Sequence, residues 1–214
     1  MWEKIRSLKY LGVYLDSTLS LRKHIQTKCQ AAISNIRKIR QIRNYIDTDT
    51  ARMLGSALVL SQLDYCNGIL CGLPKCDVRK LQSVQNWAAR VVLGRSRYDS
   101  ATDALKTLHW LPIHQRIDHK ILCIIYKCVN GVAPKYLCDL ISVRSYPCRT
   151  RSSECGDKIL NVPFTRKSTF ADRSISVYGP KVWNALPINI RAIDNYDTFK
   201  RTLKTHLFSK VFKC

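Results

Sequence analysis

Residues 57–93 carry the pattern that most restricts how this chain folds. The stretch opens with the apolar run ALVL at residues 57–60, which predicts a helix inside a core. Gly68 and the sequence Gly72-Leu73-Pro74 then interrupt it, because Gly adopts positive φ at little cost and Pro cannot continue a helix. After the break, apolar residues recur at the three- and four-residue steps of one helix face: Val78, Leu81, Val84, Ala88 and Val91. We therefore predict a buried helix, a tight connection and an amphipathic helix.

The other face of the second helix is polar and cationic. It consists of Arg79, Lys80, Gln82, Gln85, Asn86 and Arg90. These side chains form hydrogen bonds with phosphates and base edges, so they are candidate nucleic-acid contacts. Trp87 lies on the same helix and could stack on a base, although a Trp among Val and Ala residues more often belongs to a core.

The charge balance points to a polyanionic partner. Lys and Arg number 36 against 15 Asp and Glu, a formal net charge of +21, and every quarter of the chain is net positive. A field of one sign over a folded surface attracts polyanions, and nucleic acid is the leading candidate. An anionic membrane surface and an acidic protein are the alternatives. No apolar run reaches the roughly 18 residues of a transmembrane helix. Because nucleic acid is preferred, we expect no membrane partner.

The ten cysteines are expected to be free thiols. The first residues contain no apolar signal-peptide core, so we expect a reducing compartment and an intracellular protein, nuclear or cytoplasmic. Cys66, Cys71 and Cys76 step by five, unlike the paired spacing of structural zinc sites. His109, His114 and His119 also step by five and do not converge on one helix face. We predict no metal site.

The N-terminal half predicts a hairpin followed by helices. Residues 5–19 read as a strand, a turn at Gly12 and a second strand. Residues 20–46 form the clearest helix, with Ser20 as N-cap and one stripe of Ile25, Cys29, Ala32, Ile36, Ile39 and Ile46, broken only by Arg43. Its other faces carry Lys23, Lys28, Arg37, Lys38, Arg40 and Arg43. A solvated basic face and phosphate contact are both compatible with these cations, and we favour phosphate contact because like charges one turn apart repel.

Further helices are predicted over residues 47–66, with Asp47 as N-cap, and over 76–93, 101–111 and 113–129, and a shorter helix is predicted over 133–137. Residues 142–169 are rich in Ser, Arg and Pro and predict a basic linker. Residues 159–164 and 170–178 are expected to pair as short strands, and Gly179-Pro180 to turn the chain. The last helix is expected at 195–212, with an apolar face of Tyr196, Phe199, Leu203, Leu207 and Phe208.

Several motifs carry a resemblance to a known family. SQLDYCNGIL at 61–70, GLP at 72–74 and KLQSVQNWAARVV at 80–92 resemble the region downstream of the polymerase core in LINE-type (non-LTR) retrotransposon reverse transcriptases of the jockey kind. The same order continues with LHWLPIHQRI at 108–117, NGVAPKYL at 130–137, ADRSISVYGPKVWNALP at 171–187 and FKRTLKTHLF at 199–208. The resemblance covers nearly the whole chain.

The resemblance implies a mainly α fold with an N-terminal β-hairpin, a helical thumb-like bundle, further helices and a small C-terminal α+β segment. The corresponding segments are 1–19, the last palm hairpin; 20–95, the thumb-like bundle; 96–141, a downstream helical segment; 142–169, the basic linker; and 170–214, a C-terminal helical region. In the family, a hairpin like KYLG at 9–12 grips the primer terminus, and the thumb lies along the template–primer duplex.

Together, these readings select a set of candidate nucleic-acid-binding residues. It comprises Lys9, Tyr10, Leu11, Gly12, Lys28, Arg37, Lys38, Arg40, Arg43, Arg79, Gln82, Gln85, Asn86 and Arg90. The expected partner is an RNA–DNA hybrid or another nucleic acid. The palm and fingers portion of the same polymerase, which would supply sheet neighbours for the hairpin, is a further expected partner.

The sequence lacks the catalytic carboxylates of a polymerase. A polymerase holds two Mg²⁺ ions with two or three carboxylates, which this family places on an Asp-Asp turn and an earlier strand. The sequence has no Asp-Asp pair, and Asp47 and Asp49 are better explained by helix capping. We therefore expect a fragment without polymerase activity and without a cofactor, Mg²⁺ belonging to the parent enzyme. The alternatives are a basic helical protein-interaction module, with a groove lined by Trp110, Trp183 and Phe199, and a non-functional translated relic.

Overall fold

Helices make up most of the chain, as the sequence predicts, and a two-stranded antiparallel hairpin precedes them. The computed structural model describes residues 7–144, 158–165 and 171–212. The chain divides into two units, Met1–Arg116 and Ile117–Cys214. None of the described helices combines the length and hydrophobicity that a membrane crossing requires. The five-segment division made from the sequence stays a prediction.

The predicted N-terminal hairpin is confirmed. Strand β1 (Ser7–Tyr10) pairs with β2 (Val13–Asp16), and Tyr10 lies opposite Val13. The two-residue turn between them has positive φ at both positions, 44° at Leu11 and 76° at Gly12. Positive φ at both central residues defines the type I′ turn, whose twist matches that of the flanking strands.

Helix α1 (Arg22–Ile42) starts differently from the prediction. Its N-cap is Leu21, in the left-handed region, rather than Ser20. The carboxylate of Asp16 accepts hydrogen bonds from the backbone N–H of Leu21 at 2.9 Å and of Ser20 at 3.1 Å. Burial by itself would raise the pKa of Asp16, but hydrogen bonds from Thr18, Leu21 and Ser20 outweigh it and hold the pKa well below its ordinary range.

The apolar stripe of α1 is buried as predicted as far as Ile39. The helix ends at Ile42 and a 3₁₀ turn, Arg43–Tyr45, follows, so the expected continuation to Ile46 is wrong. The reason is Arg43, whose Nε donates to the Val92 carbonyl and whose Nη1 donates to the Ile46 carbonyl, both at 2.9 Å. These bonds fold the chain back where the stripe is interrupted.

The predicted second helix consists of three consecutive segments. Helix α2 (Thr48–Leu54) is capped by Asp47 as predicted, whose side chain accepts from Thr50 N–H. A π-helical segment, Gly55–Leu60, and helix α3 (Ser61–Asp64) continue it, and a 3₁₀ turn, Asn67–Leu70, follows. The wide turn brings Gly55 so close to the neighbouring elements that a Cβ there would lie 2.8 Å from Val92 Cγ2.

Helix α4 (Lys75–Val92) packs on α1 and completes the predicted bundle. Helix α5 (Ala101–Thr107) begins at Ser100, whose side chain caps it by accepting from Asp103 N–H. Helix α6 (Ile113–Val129) has the predicted bounds. It begins in the first unit and continues into the second.

The second unit contains the rest of α6 and the short helix α7 (Lys135–Cys138). Next come a 3₁₀ turn (Ala171–Arg173), α8 (Ile175–Asn184), α9 (Ile188–Arg191) and α10 (Tyr196–Phe212). Trp183, Phe199 and Leu203 are completely buried. The Tyr126 ring stacks on Phe199 with 4.3 Å between centroids. Aromatic packing therefore anchors α10 to α6.

Two predictions for residues 159–180 are wrong. Residues 175–178 belong to α8 and do not form a strand, and Gly179-Pro180 lies inside that helix instead of in a turn. Leu160 forms an isolated bridge with Val143, and its N–H and C=O both bond to the Asn184 side chain at 2.9 Å. Because Asn184 satisfies both backbone groups, Leu160 needs no strand partner from 170–178. Residues 145–157 of the predicted linker, and residues 166–170, lie outside the described part of the chain.

Gly179 offers a direct test of this packing. A Cβ at this position would lie 2.9 Å from Ile125 Cγ1 and closer still to Cδ1, and Ile125 is completely buried. Gly→Ala inside an uncrowded helix gains roughly 0.5–1 kcal/mol, but we expect G179A to lose about 1–3 kcal/mol through overpacking. Urea unfolding measures the difference. In the double variant G179A/I125V the two losses should be less than additive, and additivity would contradict the contact.

His24 gives a second test, in the first unit. Its side chain is 1% exposed, and neither ring nitrogen has a hydrogen-bond partner among the described residues. Burial, together with the charge of Lys28, lowers the pKa of His24 below its ordinary value of 6.5. The unfolded chain therefore binds the proton more readily, and stability present above about pH 6.5 is lost as the pH falls.

We expect the free energy of unfolding to decrease between pH 7.5 and pH 5.0, with His24 contributing at most about 1.4 kcal/mol per pH unit. The variant H24L should show a flatter dependence in urea titrations at several pH values. An unchanged pH dependence in H24L would show that other groups cause the decrease.

Candidate nucleic-acid interface

Three cations of α1 are presented to solvent. Arg37, Lys38 and Arg40 are exposed, whereas Ile36 and Ile39 on the same turns are buried. A helix with one buried stripe forces the residues between the stripe positions outward. Among the described residues, no carboxylate forms an ion pair with any of the three. This cationic face, defined as Arg37, Lys38 and Arg40, is the strongest part of the predicted site.

Arg43, at the end of the same helix, has a different role. Besides its bonds to Val92 and Ile46, its Nη2 donates to Thr48 Oγ1 at 3.1 Å. Its side chain is half-buried. The donors predicted to contact phosphate are thus used inside the unit, where they connect the end of α1 to the end of α4.

The turn of the hairpin is exposed and cationic. Tyr10 is 62% exposed, Leu11 is 75% exposed and Lys9 is exposed beside them. The Tyr65 hydroxyl donates to the Leu11 carbonyl, and Lys28 Nζ lies 4.0 Å from the centroid of the Tyr65 ring. These contacts hold the turn against the helices of the first unit. Tyr65, from the motif at 61–70, was not predicted to position the hairpin.

The predicted polar face of α4 is partly internal. Gln85 is 0% exposed, and its Nε2 donates to the Leu111 carbonyl at 2.9 Å. Gln82 Nε2 donates to the side-chain oxygens of Gln85 and Asn86, and Gln82 Oε1 accepts from Ile113 N–H at 2.9 Å. The candidate assignment of Gln85 is therefore wrong, because a completely buried amide cannot reach a partner. Gln82 and Asn86 belong to the same structural network.

The two arginines of α4 differ in exposure. Arg79 is exposed, whereas Arg90 is half-buried and its Nε donates to the Asp99 carbonyl at 2.8 Å. Trp87 is half-buried, which is compatible both with a core role and with base stacking. Of the polar α4 candidates, Arg79 is thus the one that presents its charge fully to solvent.

Two buried or half-buried carboxylates organise the first unit. Asp77 is 2% exposed and pairs with Lys80 at 2.9 Å and Arg22 at 3.5 Å. Asp64 accepts two hydrogen bonds from the guanidinium of Arg116. Asp77 compensates one of the two charges of Lys80 and Arg22, and Asp64 compensates the charge of Arg116.

The aromatic groove of the protein-interaction alternative is not observed. Trp110 is 5% exposed, and Trp183 and Phe199 are 0% exposed, each within the core of its own unit. Their surface is already used in packing. The predicted lining of that groove is therefore wrong.

No metal centre is found in the described residues, where no three His, Cys, Asp or Glu side chains are placed to hold an ion. All the described cysteines are free. Cys29, Cys71, Cys123 and Cys128 are buried, whereas Cys66 and Cys76 are exposed. Burial raises the pKa of the Cys29, Cys123 and Cys128 thiols above their ordinary value.

A second group of cations, in the second unit, was missed from the sequence. Lys200, Arg201 and Lys204 of α10 line an open cleft of about 370 Å³ together with His119 and Asp197. The signal was present in the motif at 199–208, where the three cations lie at positions i, i+1 and i+4 of a helix. Lys204 therefore lies one turn from both Lys200 and Arg201, so the three cations form one broad strip of the helix surface.

Comparison with known proteins adds no relative: no protein-family model, curated protein or solved structure matches the chain.

Gln85 distinguishes a structural from a binding role on α4. Q85L leaves the buried Leu111 carbonyl without its donor and removes one of the two acceptors of Gln82 Nε2, so we expect a loss of about 1–3 kcal/mol in the free energy of unfolding. The exposed R79Q is the matched control and should change stability by less than about 0.5 kcal/mol. Equal effects of the two substitutions in urea unfolding would contradict the buried network.

Proposed function

We propose that the chain binds nucleic acid through its backbone phosphates, using the first unit. The observation that carries the proposal is the cationic face of α1, where three exposed charges lie within two helical turns without a described acidic partner. Like charges this close repel unless counterions or a polyanion neutralise them. A duplex supplies a dense row of phosphates and releases its condensed counterions on binding.

The hairpin turn extends this surface in the proposal. Lys9 supplies another charge, and Tyr10 and Leu11 supply exposed apolar area beside it. An aromatic ring next to a cation suits the end of a nucleic-acid strand, where a base can stack. The resemblance to a retrotransposon reverse transcriptase supports the same role, because that hairpin is expected to grip a primer terminus. We propose an RNA–DNA hybrid as the ligand, held by charge and shape with little sequence readout.

The proposal assigns no catalytic step to this chain. The sequence contains no Asp-Asp turn for a two-metal site, so any polymerase activity and its Mg²⁺ would belong to a palm and fingers portion that acts with it. A nuclear or cytoplasmic location follows from this role. The alternatives are a protein-interaction module and a non-functional relic. The binding measurements below distinguish nucleic-acid binding from both.

The test is the salt dependence of hybrid binding by the full chain. If about six phosphates are engaged, affinity should fall roughly 10³-fold between 50 and 200 mM salt. The variant R37Q/K38Q/R40Q should weaken binding irrespective of sequence and reduce the log–log slope by about 3, close to one per lost contact. Fluorescence anisotropy with a labelled hybrid measures both quantities.

The matched control is K106Q/K135Q/K210Q, which removes the same charge from exposed positions outside the proposed surface. It should retain most of the affinity and of the slope. If both triple variants lose affinity equally, the charge acts diffusely and the cationic face has no special role. A wild-type slope near zero would instead favour the interaction module.

A further inference from the structure

The cleft of the second unit concentrates positive charge on one strip of α10. At 100° per residue, Lys200, Arg201 and Lys204 fall within an arc of about 100°. None of the three has a carboxylate within ion-pairing distance among the described residues. Asp197 also lines the cleft, but Arg201 donates to its backbone carbonyl, at 3.4 Å from Nε, and not to its carboxylate. The acid therefore leaves the three charges without a direct partner.

The cleft is built on a rigid base. Phe199 and Leu203, which alternate with the cations along α10, are completely buried. From α6, the imidazole of His119 approaches the same helix, with Nε2 3.4 Å from the Lys200 carbonyl and Nδ1 4.0 Å from Cys123 Sγ. The backbone that carries the cations is thus fixed before any ligand arrives, which reduces the ordering cost of binding.

The positive charges around the cleft also favour an anionic ligand. Burial raises the pKa of Cys123, while the charges of Lys200, Lys120 and Lys127 act in the opposite direction. Cations of both α6 and α10 therefore act together on this one buried thiol. The three cations of the cleft outnumber its one carboxylate, that of Asp197, and a net positive site attracts a compact anion.

We propose that the three cations of this cleft, which is lined by His119, Asp197, Lys200, Arg201 and Lys204, bind the phosphate of a nucleotide unit. Arg presents a planar fork of donors that matches phosphate oxygens, and Lys adds a mobile point charge with three donors. A volume of about 370 Å³ lies in the lower part of the range of roughly 300–1,000 Å³ for small-molecule sites. The proposal goes beyond hybrid binding because it concerns the other unit and a ligand as small as a mononucleotide.

The experiment is isothermal titration calorimetry of the full chain at low salt, with adenosine monophosphate, adenosine and a short 5′-phosphorylated oligonucleotide as separate probes. K200Q/K204Q should weaken binding of a phosphate-bearing probe by about tenfold, because it removes two charged donors. K200R/K204R retains the charge and should bind like the wild type. The matched control K135Q/K210Q removes two exposed lysines of the same unit outside the cleft and should change the dissociation constant less than about twofold.

The outcomes separate the possible sources of the phosphate. Saturable binding of the monophosphate but not of adenosine, lost in K200Q/K204Q, identifies a free nucleotide as sufficient. Binding and loss seen with the oligonucleotide alone identify a nucleic-acid strand. No saturable binding of any phosphate-bearing probe, or equal loss in K135Q/K210Q, overturns the proposal.

Two further variants test the cleft independently of the folding of K200Q/K204Q and of the first unit. Circular dichroism establishes that each variant is folded, and R201Q provides a second route to the same loss if K200Q/K204Q is unfolded. R37Q/K38Q/R40Q should keep its affinity for the monophosphate or the oligonucleotide's terminal phosphate at the cleft. Failure of hybrid binding in the first unit and failure of the cleft are therefore measured independently.

Discussion

The burial of one apolar stripe of α1 against α4 is the interaction on which the first unit depends. Once Ile25, Ile36 and Ile39 face inward, the rotation of the helix is fixed, and with it the direction of every charged residue between them. Arg37, Lys38 and Arg40 are then outward by necessity, since a 3.6-residue period leaves them no place in the core. The cationic face is thus a consequence of hydrophobic packing.

Uncompensated charge on such a face has a thermodynamic consequence. Each exposed pair of cations one turn apart costs a few tenths of a kcal/mol in a helix, and the α1–α4 core must offset this cost. A bound polyanion removes the repulsion and gains counterion entropy, so the strain of the free state becomes part of the driving force for binding. Asp77 shows the contrasting arrangement, because this buried acid pairs with Lys80 and Arg22 and compensates one of their two charges within the fold.

Apolar periodicity predicted the helices well, because burial of a stripe at 3.6-residue spacing has one solution. It failed where side chains replace backbone partners. Asn184 satisfies both backbone groups of Leu160, a role that no local pattern reveals. Gly179 lies inside a helix with Pro180, where its missing side chain leaves room for Ile125. The environment of polar residues was harder to predict. Gln85 and Arg79 belong to the same predicted polar face of α4, yet Gln85 lies in the core and Arg79 is exposed to solvent. A residue type indicates which bonds a side chain can form but not whether protein or solvent supplies the partner.

The arginines of α1 show how this limit affects functional reasoning. Arg37 and Arg43 are six residues apart and chemically identical, but Arg43 gives its donors to Val92, Ile46 and Thr48. Net charge therefore overstates the charge available to a ligand, because internal donors contribute to the total without reaching the surface. What distinguishes the two proposed surfaces is that several exposed cations without an ion-pairing acid lie close together on one helix, Arg37, Lys38 and Arg40 in one unit and the α10 strip in the other. Two such surfaces on separate cores can each be tested without disturbing the other.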